Sequence, residues 1–145
     1  METKIKKDWL GRVKSIEELH DDSKLWISEV SFINDELHFF NDLLSTYYID
    51  IIDSGLSDEI NKIIKKITQE KESYNAFMKL IQYQENLLSK LIYTGSVTSN
   101  PNYLKMHQDL EFKVNAYIKN SKLLKKQIFS IVEDQMRKKE QKKLL

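Results

Sequence analysis

Apolar side chains recur along the chain at alternating steps of three and four residues, the spacing of one face of an α-helix. The first such stripe consists of Ile16, Leu19, Trp26, Val30, Ile33, Leu37, Phe40, Leu44, Tyr47 and Ile51. Ser15, followed three residues later by Glu18, fits a capping box at the start. Gly55 is a typical helix stop, because glycine adopts the left-handed conformation without strain. The pattern predicts a first helix over residues 16–53.

Two further stripes predict two further helices. The second stripe runs from Leu56 to Leu91, and Gly95 follows it, which predicts a helix over residues 57–93. The third helix is predicted over residues 101–140, and it begins at Pro101, whose fixed backbone angle suits the first helical position. Residues 141–145 form a basic tail with no apolar face, and we expect the last turns to fray or to stay solvated.

The three predicted helices are similar in length and are joined by short connections, which makes chain neighbours antiparallel. The apolar repeat is close to 3.5 residues, and this value favours shallow, left-handed packing. We therefore predict a single all-α domain over residues 1–145, an up-down-up antiparallel three-helix bundle with spectrin-like architecture. Residues 1–14 form an N-terminal segment that allows for one more short helical element.

Two polar residues, Glu70 and Gln84, interrupt the second stripe. Pairing the helices about their loops places Gln84 opposite Trp26, whose indole N–H needs an acceptor when it is buried. The same register places Lys125 at the height of Glu70, and a buried carboxylate needs a cation or a hydrogen-bond donor. We expect a Trp26–Gln84 hydrogen bond, and for Glu70 a Lys or Tyr partner, with Lys125 at a suitable height.

The composition excludes several classes of protein. The 145 residues include three Gly, one Pro and no Cys, so the chain has neither a disulfide framework nor a thiolate metal site. No apolar run has the length of a signal peptide or a membrane-spanning helix. These features predict a cytoplasmic protein that does not insert into a membrane.

Charge is nearly balanced overall, with 23 basic and 22 acidic residues, but it is separated along the chain. Residues 15–53 carry one basic and 10 acidic side chains, whereas residues 101–145 carry 11 basic and five acidic ones. One interpretation is that the flanks of two neighbouring helices attract each other. The other is a bipolar surface that drives self-association or binds a charged partner.

Several large apolar residues lie off the main stripes, at helical spacing. Helix one carries Phe32, Phe39 and Leu43; helix two carries Leu80, Tyr83 and Leu87; and Phe112, Phe129 and Met136 are expected on the far side of helix three. Rows of this kind form apolar patches of the size that partners use. We predict a homodimer that uses the rows on helices one and three. The alternative is that the N-terminal segment folds back and covers one row.

Little in the sequence indicates catalysis or a cofactor. His107 lies on the third stripe with Glu111 four residues later, which makes these two residues weak candidates for a metal site. The alternative is a histidine at the edge of the core, bonded to a loop carbonyl or to Gln84. His38 lies opposite the first stripe and is interpreted as a surface histidine. The isolated glycines cannot form a phosphate-binding loop.

The sequence therefore favours a non-enzymatic helical protein–protein interaction or scaffold module that self-associates, with no cofactor. A first alternative is nucleic-acid binding through the basic third helix and the C-terminal tail. A second alternative is a metal-binding bundle with its site near His107.

Overall fold

A computed structural model of the chain describes residues 6–7, 13–94 and 101–144. Its three long helices are α1 (Ile16–Asp53), α2 (Ser57–Thr94) and α3 (Pro101–Leu144), and they pack as an all-α three-helix bundle. The predicted bounds of α1 are confirmed, and α3 begins at Pro101 as expected. The last turns of α3 do not fray, because the helix continues through Leu144, and the alternative is confirmed, since residues 136–143 are exposed. No stretch of these helices is both long and apolar enough to cross a bilayer.

Local hydrogen bonds explain where α1 begins and ends. At the start, the backbone N–H of Glu18 donates to Oγ of Ser15 at 3.3 Å, and the N–H of Ser15 donates to Oε1 of Glu18 at 3.5 Å. This is the predicted capping box. At the end, the N–H of Leu56 donates to the carbonyl of Ile51 at 3.2 Å, and Gly55 has a φ of 81°. These are the features of a Schellman motif with glycine in the left-handed conformation.

Two short antiparallel strands precede α1. Strand β1 is Lys6–Lys7 and strand β2 is Val13–Lys14; Lys6 pairs with Lys14, and Lys7 pairs with Val13. The expected short helical segment is therefore wrong for these four residues, which pair as antiparallel strands. Residues 1–5 and 8–12 lie outside the described part of the chain.

The contacts divide the chain into two compact units, and each unit contains part of every helix. Unit 1 comprises residues 1–31 and 75–116, and unit 2 comprises residues 32–74 and 117–145. The core of unit 2 consists of stripe residues that are almost fully buried: Ile33, Leu37, Phe40, Leu44, Ile51, Ile60, Ile63, Ile67, Tyr117, Leu124, Ile128, Ile131 and Val132. Burial of each large side chain contributes roughly 1.5–3 kcal/mol before entropy costs are subtracted.

The core of unit 1 is smaller and more polar. Its apolar centre is the cluster of Leu19, Leu88 and Tyr103, one from each helix, and Leu91 is among the partly buried side chains packed against it. The fully or nearly buried residues of this unit also include Trp26, Val30, Ile81, Gln84, His107, Leu110 and Val114. The stripes therefore predicted which residues form the core of both units.

Contacts within unit 2 confirm the up-down-up order. Glu36 and Asp50 of α1 contact Lys125 and Lys139 of α3, so these two helices run in the same direction. Along α2 the partners in α3 run in the opposite order. Lys66 contacts Gln127, whereas Glu70 contacts Ser121. The helix α2 is therefore antiparallel to both neighbours.

Candidate functional site

Unit 2 carries an aromatic face on α1 and α3. We define this aromatic face as Phe32, Phe39 and Leu43 of α1 with Phe129 and Met136 of α3. All five were predicted interaction residues. Phe32, Phe39, Phe129 and Met136 are exposed, and Leu43 is half-buried.

Phe40 connects this face to the core. Its ring is 4 % exposed, and it contacts Phe39 at a centroid distance of 5.7 Å and Phe129 at 5.4 Å, both with edge-to-face geometry. Such aromatic pairs stabilise packing beyond the area that they bury. Phe39 is nevertheless 58 % exposed and Phe129 45 % exposed. The three rings therefore form one cluster that begins in the core and ends in solvent.

The predicted position of Phe129 was wrong. We expected it on the far side of α3, but its contact with Phe40 places it on the side of α3 that faces α1. Met136, one heptad later, lies on the same side of the helix. Phe112 belongs to unit 1 and is 77 % exposed, so it is not part of the aromatic face.

Ion pairs between α1 and α3 flank the aromatic face. Nζ of Lys125 lies 2.6 Å from Oε2 of Glu36, and Nζ of Lys139 lies 3.1 Å from Oδ2 of Asp50. The Lys139 ammonium also lies over the ring of Tyr47, 4.9 Å from its centroid. Attraction between the flanks of α1 and α3 thus explains part of the charge separation. Each pair is at least partly exposed, so it contributes at most about 1 kcal/mol.

The charge separation is greatest in unit 2. There α1 (residues 32–53) has five acidic and no basic side chains, whereas α3 (residues 117–144) has nine basic and three acidic ones. Asp35 and Asp42 lie four residues before and three after Phe39, on the same side of α1. Neither forms an ion pair with another described residue of the chain. The exposed rings are therefore bordered by unneutralised negative charge on α1.

Unit 1 contains a buried polar cluster around His107. Its side chain is fully buried, and Nε2 donates to Oδ2 of Asp22 in α1 at 3.2 Å, because an ionised carboxylate only accepts. The imidazole ring lies 4.8 Å from the ring of Trp26 and stacks on Tyr103 at 6.1 Å. This contact with a carboxylate of α1 was not predicted, since the sequence indicated a bond to a loop carbonyl or to Gln84.

A second histidine–carboxylate pair joins α1 to α2 in the same unit. Nδ1 of His20 contacts Oε2 of Glu85. The sequence predicted that the neighbouring Gln84 accepts a hydrogen bond from the indole of Trp26, and this prediction is wrong. Instead, Nε2 of Gln84 donates to the carbonyl of Met106 at 3.1 Å. The ring of Trp26 lies tilted against the ring of His107, and the shared height along the bundle did not bring the indole and Gln84 into a hydrogen bond.

Burial raises the pKa of Tyr103, and the charges of Glu85 and Asp22 raise it further. The phenol is therefore held in its neutral form at the centre of this cluster. Such a tyrosine donates a hydrogen bond but does not act as a base near neutral pH. The arrangement combines two histidine–carboxylate pairs with aromatic stacking, and it is typical of a rigid polar core.

Unit 2 has its own buried polar contact at Glu70. The predicted partner Lys125 is wrong, because that lysine pairs with Glu36. Glu70 instead accepts a hydrogen bond from Oγ of Ser121 at 2.9 Å, and its backbone carbonyl accepts one from the hydroxyl of Tyr117 at 3.3 Å. Burial raises the pKa of the Glu70 carboxyl, and the bond from Ser121 lowers it by less.

The weak metal candidates, His107 and Glu111, do not belong to a recognisable metal centre. Among the described residues, no three His, Asp or Glu side chains are grouped so that they could hold a metal ion. His107 directs Nε2 at Asp22, and Glu111 is only partly buried, one helical turn further along α3. His38 is exposed, as predicted.

Sequence reasoning missed Asp22, Ser121 and Phe40 as contacts of the candidate sites. Asp22 lies three residues after Leu19 and four before Trp26, a spacing that puts its side chain beside the stripe. That spacing was a signal for a polar group at the core. Ser121 lies on the third stripe, four residues after Tyr117 and three before Leu124, and this position was the signal for a polar contact with Glu70.

No known protein family, no characterised protein and no solved structure matches the chain. We therefore infer function from the contacts, burial and charge of the described residues.

Proposed function

We propose that this chain is a non-enzymatic helical interaction module that self-associates as a homodimer through the aromatic face of unit 2. The observation that carries the proposal is the cluster of Phe39, Phe40 and Phe129. A core ring contacts two rings that are about half exposed, so apolar packing extends from the core to the surface. Exposed clusters of large apolar residues are a hallmark of protein interfaces.

The aromatic face has a suitable size for a dimer interface. Residues 32–53 of α1 run for about 33 Å, and two neighbouring helices are together about 20 Å wide, so the face covers roughly 650 Å². A standard interface buries about 800 Å² on each partner. The exposed flanks of the two helices would supply the remainder.

The charge around the face suits a two-fold axis. In a two-fold interface, a contact between α1 of one copy and α3 of the other is always repeated between α3 of the first copy and α1 of the second. Such an axis brings the acidic border of α1, with Asp35 and Asp42, against the basic border of α3, with Lys122. The separation of charge between α1 and α3 thus favours pairing of two copies.

Light-scattering mass after size exclusion tests this proposal. The protein, 17.3 kDa as a monomer, is expected to elute with twice that mass. The dimer should persist at about 0.5 M salt, where surface charges are largely screened and apolar contacts are not. The double variant Phe32→Gln/Phe39→Gln removes two exposed rings and keeps good helix formers, and it should raise the dissociation constant at least about tenfold.

Phe112→Gln is the control, because it removes a ring of α3 in unit 1 that is more exposed than Phe32 and Phe39. It should leave the mass unchanged. Circular dichroism checks that both variants keep their helices. A monomer at all concentrations, or a dimer that is equally weakened by both variants, would rule out the aromatic face as the interface.

The two alternatives have less support. Several cations of α3 are already paired within the chain, Lys125 and Lys139 with α1 and Arg137 with Glu133, which leaves fewer of them for phosphates. Nucleic-acid binding predicts a steep loss of affinity for generic DNA or RNA with salt. A metal function near His107 predicts a stoichiometric metal that is lost in His107→Ala. The cytoplasmic location predicted from the composition fits a soluble interaction module.

A further inference from the structure

A groove lies between α2 and α3 in unit 2, lined by residues on a different side of α3 from Phe129. It has a volume of about 550 Å³ and continues into a hollow of about 290 Å³, with Lys66 and Gln127 lining both. The residues that line the groove and the hollow lie within residues 56–70 of α2 and 120–134 of α3. At 1.5 Å per residue, this length of about 21 Å accommodates some 14 residues of a helix.

The floor of the groove is apolar. Leu56 and Ile63 of α2 and Ile131 of α3 line its wider part. Leu123, which is 50 % exposed, lines the narrower continuation. A cleft between two antiparallel helices with such a floor is the position that a fourth helix occupies in a four-helix bundle.

The rim of the groove is basic in its middle. Lys62, Lys66 and Lys126 line it, and none of them forms an ion pair with another described residue; the nearest polar contact is from Nζ of Lys66 to Oε1 of Gln127, at 3.4 Å. The lysines on the side of α3 that faces α1 differ in this respect, since Lys125 and Lys139 are paired with carboxylates of α1. The groove is therefore lined by three cations that no described carboxylate neutralises.

The carboxylates of the groove lie towards its ends. Glu59 and Asp134 line the wider part, and Glu70 lines the continuation. Glu70 is already engaged by Ser121, and burial raises the pKa of its carboxyl. The positive charge is thus concentrated over the apolar floor near Ile63, midway along the groove.

We propose that this groove binds an acidic amphipathic helix of another protein, with its apolar residues on the floor and its carboxylates against Lys62, Lys66 and Lys126. Helix-in-groove binding of this kind uses apolar anchors at steps of three and four residues. The N-terminal segment of the chain itself is a poor occupant, since residues 1–14 carry five basic and two acidic side chains. Nucleic acid would use the lysines but would leave the apolar floor without a partner.

Fluorescence anisotropy with a designed peptide tests the proposal. The probe is a labelled peptide of about 18 residues, with Leu at steps of three and four and Glu on its flanks. It should bind the intact protein at about 50 mM salt with a dissociation constant in the micromolar range, and the same peptide with Lys in place of Glu should not bind. Leu123→Asn, which removes an apolar floor residue that is already half exposed, should weaken binding severalfold.

The double variant Lys62→Glu/Lys66→Glu should weaken binding of the acidic peptide at least about tenfold, because it reverses two charges of the rim. Lys79→Glu/Lys90→Glu is the matched control, with the same charge change on exposed positions of α2 in unit 1. It should change the affinity by less than about twofold, a screened long-range effect. No binding of the acidic peptide, or equal weakening by the two double variants, would overturn the proposal.

Two further measurements separate other occupants. If labelled duplex DNA binds and the acidic peptide does not, the groove is a phosphate-binding surface and the proposal fails. If Lys62→Glu/Lys66→Glu converts a dimer to a monomer in light scattering, the groove is occupied by a second copy and the proposal again fails. The expected result is an unchanged mass, since the aromatic face lies on the side of α3 that faces α1.

Discussion

Oδ2 of Asp22 in α1 lies 3.2 Å from Nε2 of His107 in α3, and this bond joins two residues that are 85 positions apart in the chain. The imidazole is fully buried between the rings of Trp26 and Tyr103, whereas the carboxylate is about one-fifth exposed. A buried polar group that bonds a specific partner fixes which helix it faces. The pair therefore specifies how α1 and α3 meet in unit 1.

We predict that His107→Ala destabilises the fold by about 2–4 kcal/mol, because it leaves a cavity between two rings and removes the donor to Asp22. Asp22→Ala should cost less, about 1 kcal/mol, since its carboxylate is partly hydrated. Urea unfolding of both single variants and the double variant gives the coupling energy. The cycle should yield roughly 0.5–3 kcal/mol of coupling, as expected for residues in direct contact.

The control for this cycle is His38→Ala, which removes an exposed histidine from α1 of unit 2. It should change the free energy of unfolding by less than about 0.5 kcal/mol and show no coupling with Asp22→Ala. Additive effects of Asp22→Ala and His107→Ala would contradict the observed bond.

The helices and core could be predicted from the sequence because they depend on local periodicity. The spacing of apolar residues gave the bounds of α1 to the residue, and Gly55 and Pro101 marked the ends of elements through their backbone preferences. A helix end depends on a few neighbouring residues, whose propensities are visible in the sequence. The short strands before α1 could not be predicted in this way, since two-residue strands have no periodicity.

The partners of polar side chains could not be predicted with the same success. The register placed Gln84 level with Trp26 and Glu70 level with Lys125, but the bonds go to Met106 and to Ser121. Several side chains of the neighbouring helices lie at the same height as a given side chain. Which of them it bonds depends on side-chain direction and on competing charges. Phe129 was misplaced for the same reason, since one residue of rotation changes which neighbouring helix a side chain faces.

Burial raises the pKa of the Glu70 carboxyl above its ordinary value of 4.5, and this shift makes the stability of the fold depend on pH. A carboxyl with a raised pKa in the folded state stabilises the fold most below pH 4.5, and this contribution is lost as the pH rises through the folded-state pKa. We therefore predict that Glu70→Gln is at least as stable as the original protein at neutral pH. The variant keeps an acceptor for Ser121 and buries no charge.

Chemical denaturation between about pH 4 and pH 7 checks this prediction. As the pH rises, the unfolding free energy of Glu70→Gln should increase relative to that of the original protein. Glu72→Gln, an exposed substitution on the same helix, should show no such trend. A Glu70→Gln variant that loses stability relative to the original protein as the pH rises would contradict the inferred cost of burying the charge.

Gly55 allows a separate test of the connection between α1 and α2. Its φ of 81° lies in the left-handed region, and a Cβ added there would meet no atom within 4 Å. Any cost of Gly55→Ala is therefore a backbone cost, and we predict a loss of about 1–2 kcal/mol in thermal or urea unfolding. Gly55→Asn should cost less, because Asn tolerates this conformation better than Ala. Equal losses for the two variants would indicate a steric cause instead.

Two buried tyrosines should make the fold sensitive to alkali. Burial raises the pKa of Tyr103, helped by the charges of Glu85 and Asp22, and burial likewise raises the pKa of Tyr117, helped by Glu70. The ordinary pKa of a tyrosine is 10.0, so the stabilising contribution of both phenols is present below pH 10 and is lost as the pH rises further.

We predict that thermal stability falls less steeply above pH 10 in Tyr103→Phe and in Tyr117→Phe than in the original protein, because phenylalanine has no proton to lose. Each variant should be somewhat less stable at neutral pH, since the Tyr117 hydroxyl donates to the carbonyl of Glu70. Lysines also titrate in this range, so Tyr83→Phe, which alters an exposed ring of α2, is the reference for their effect. If the thermal stability of all three variants falls equally above pH 10, then water reaches both phenols in the folded state. The polar cores of the two units are in that case more accessible to solvent than their contacts indicate.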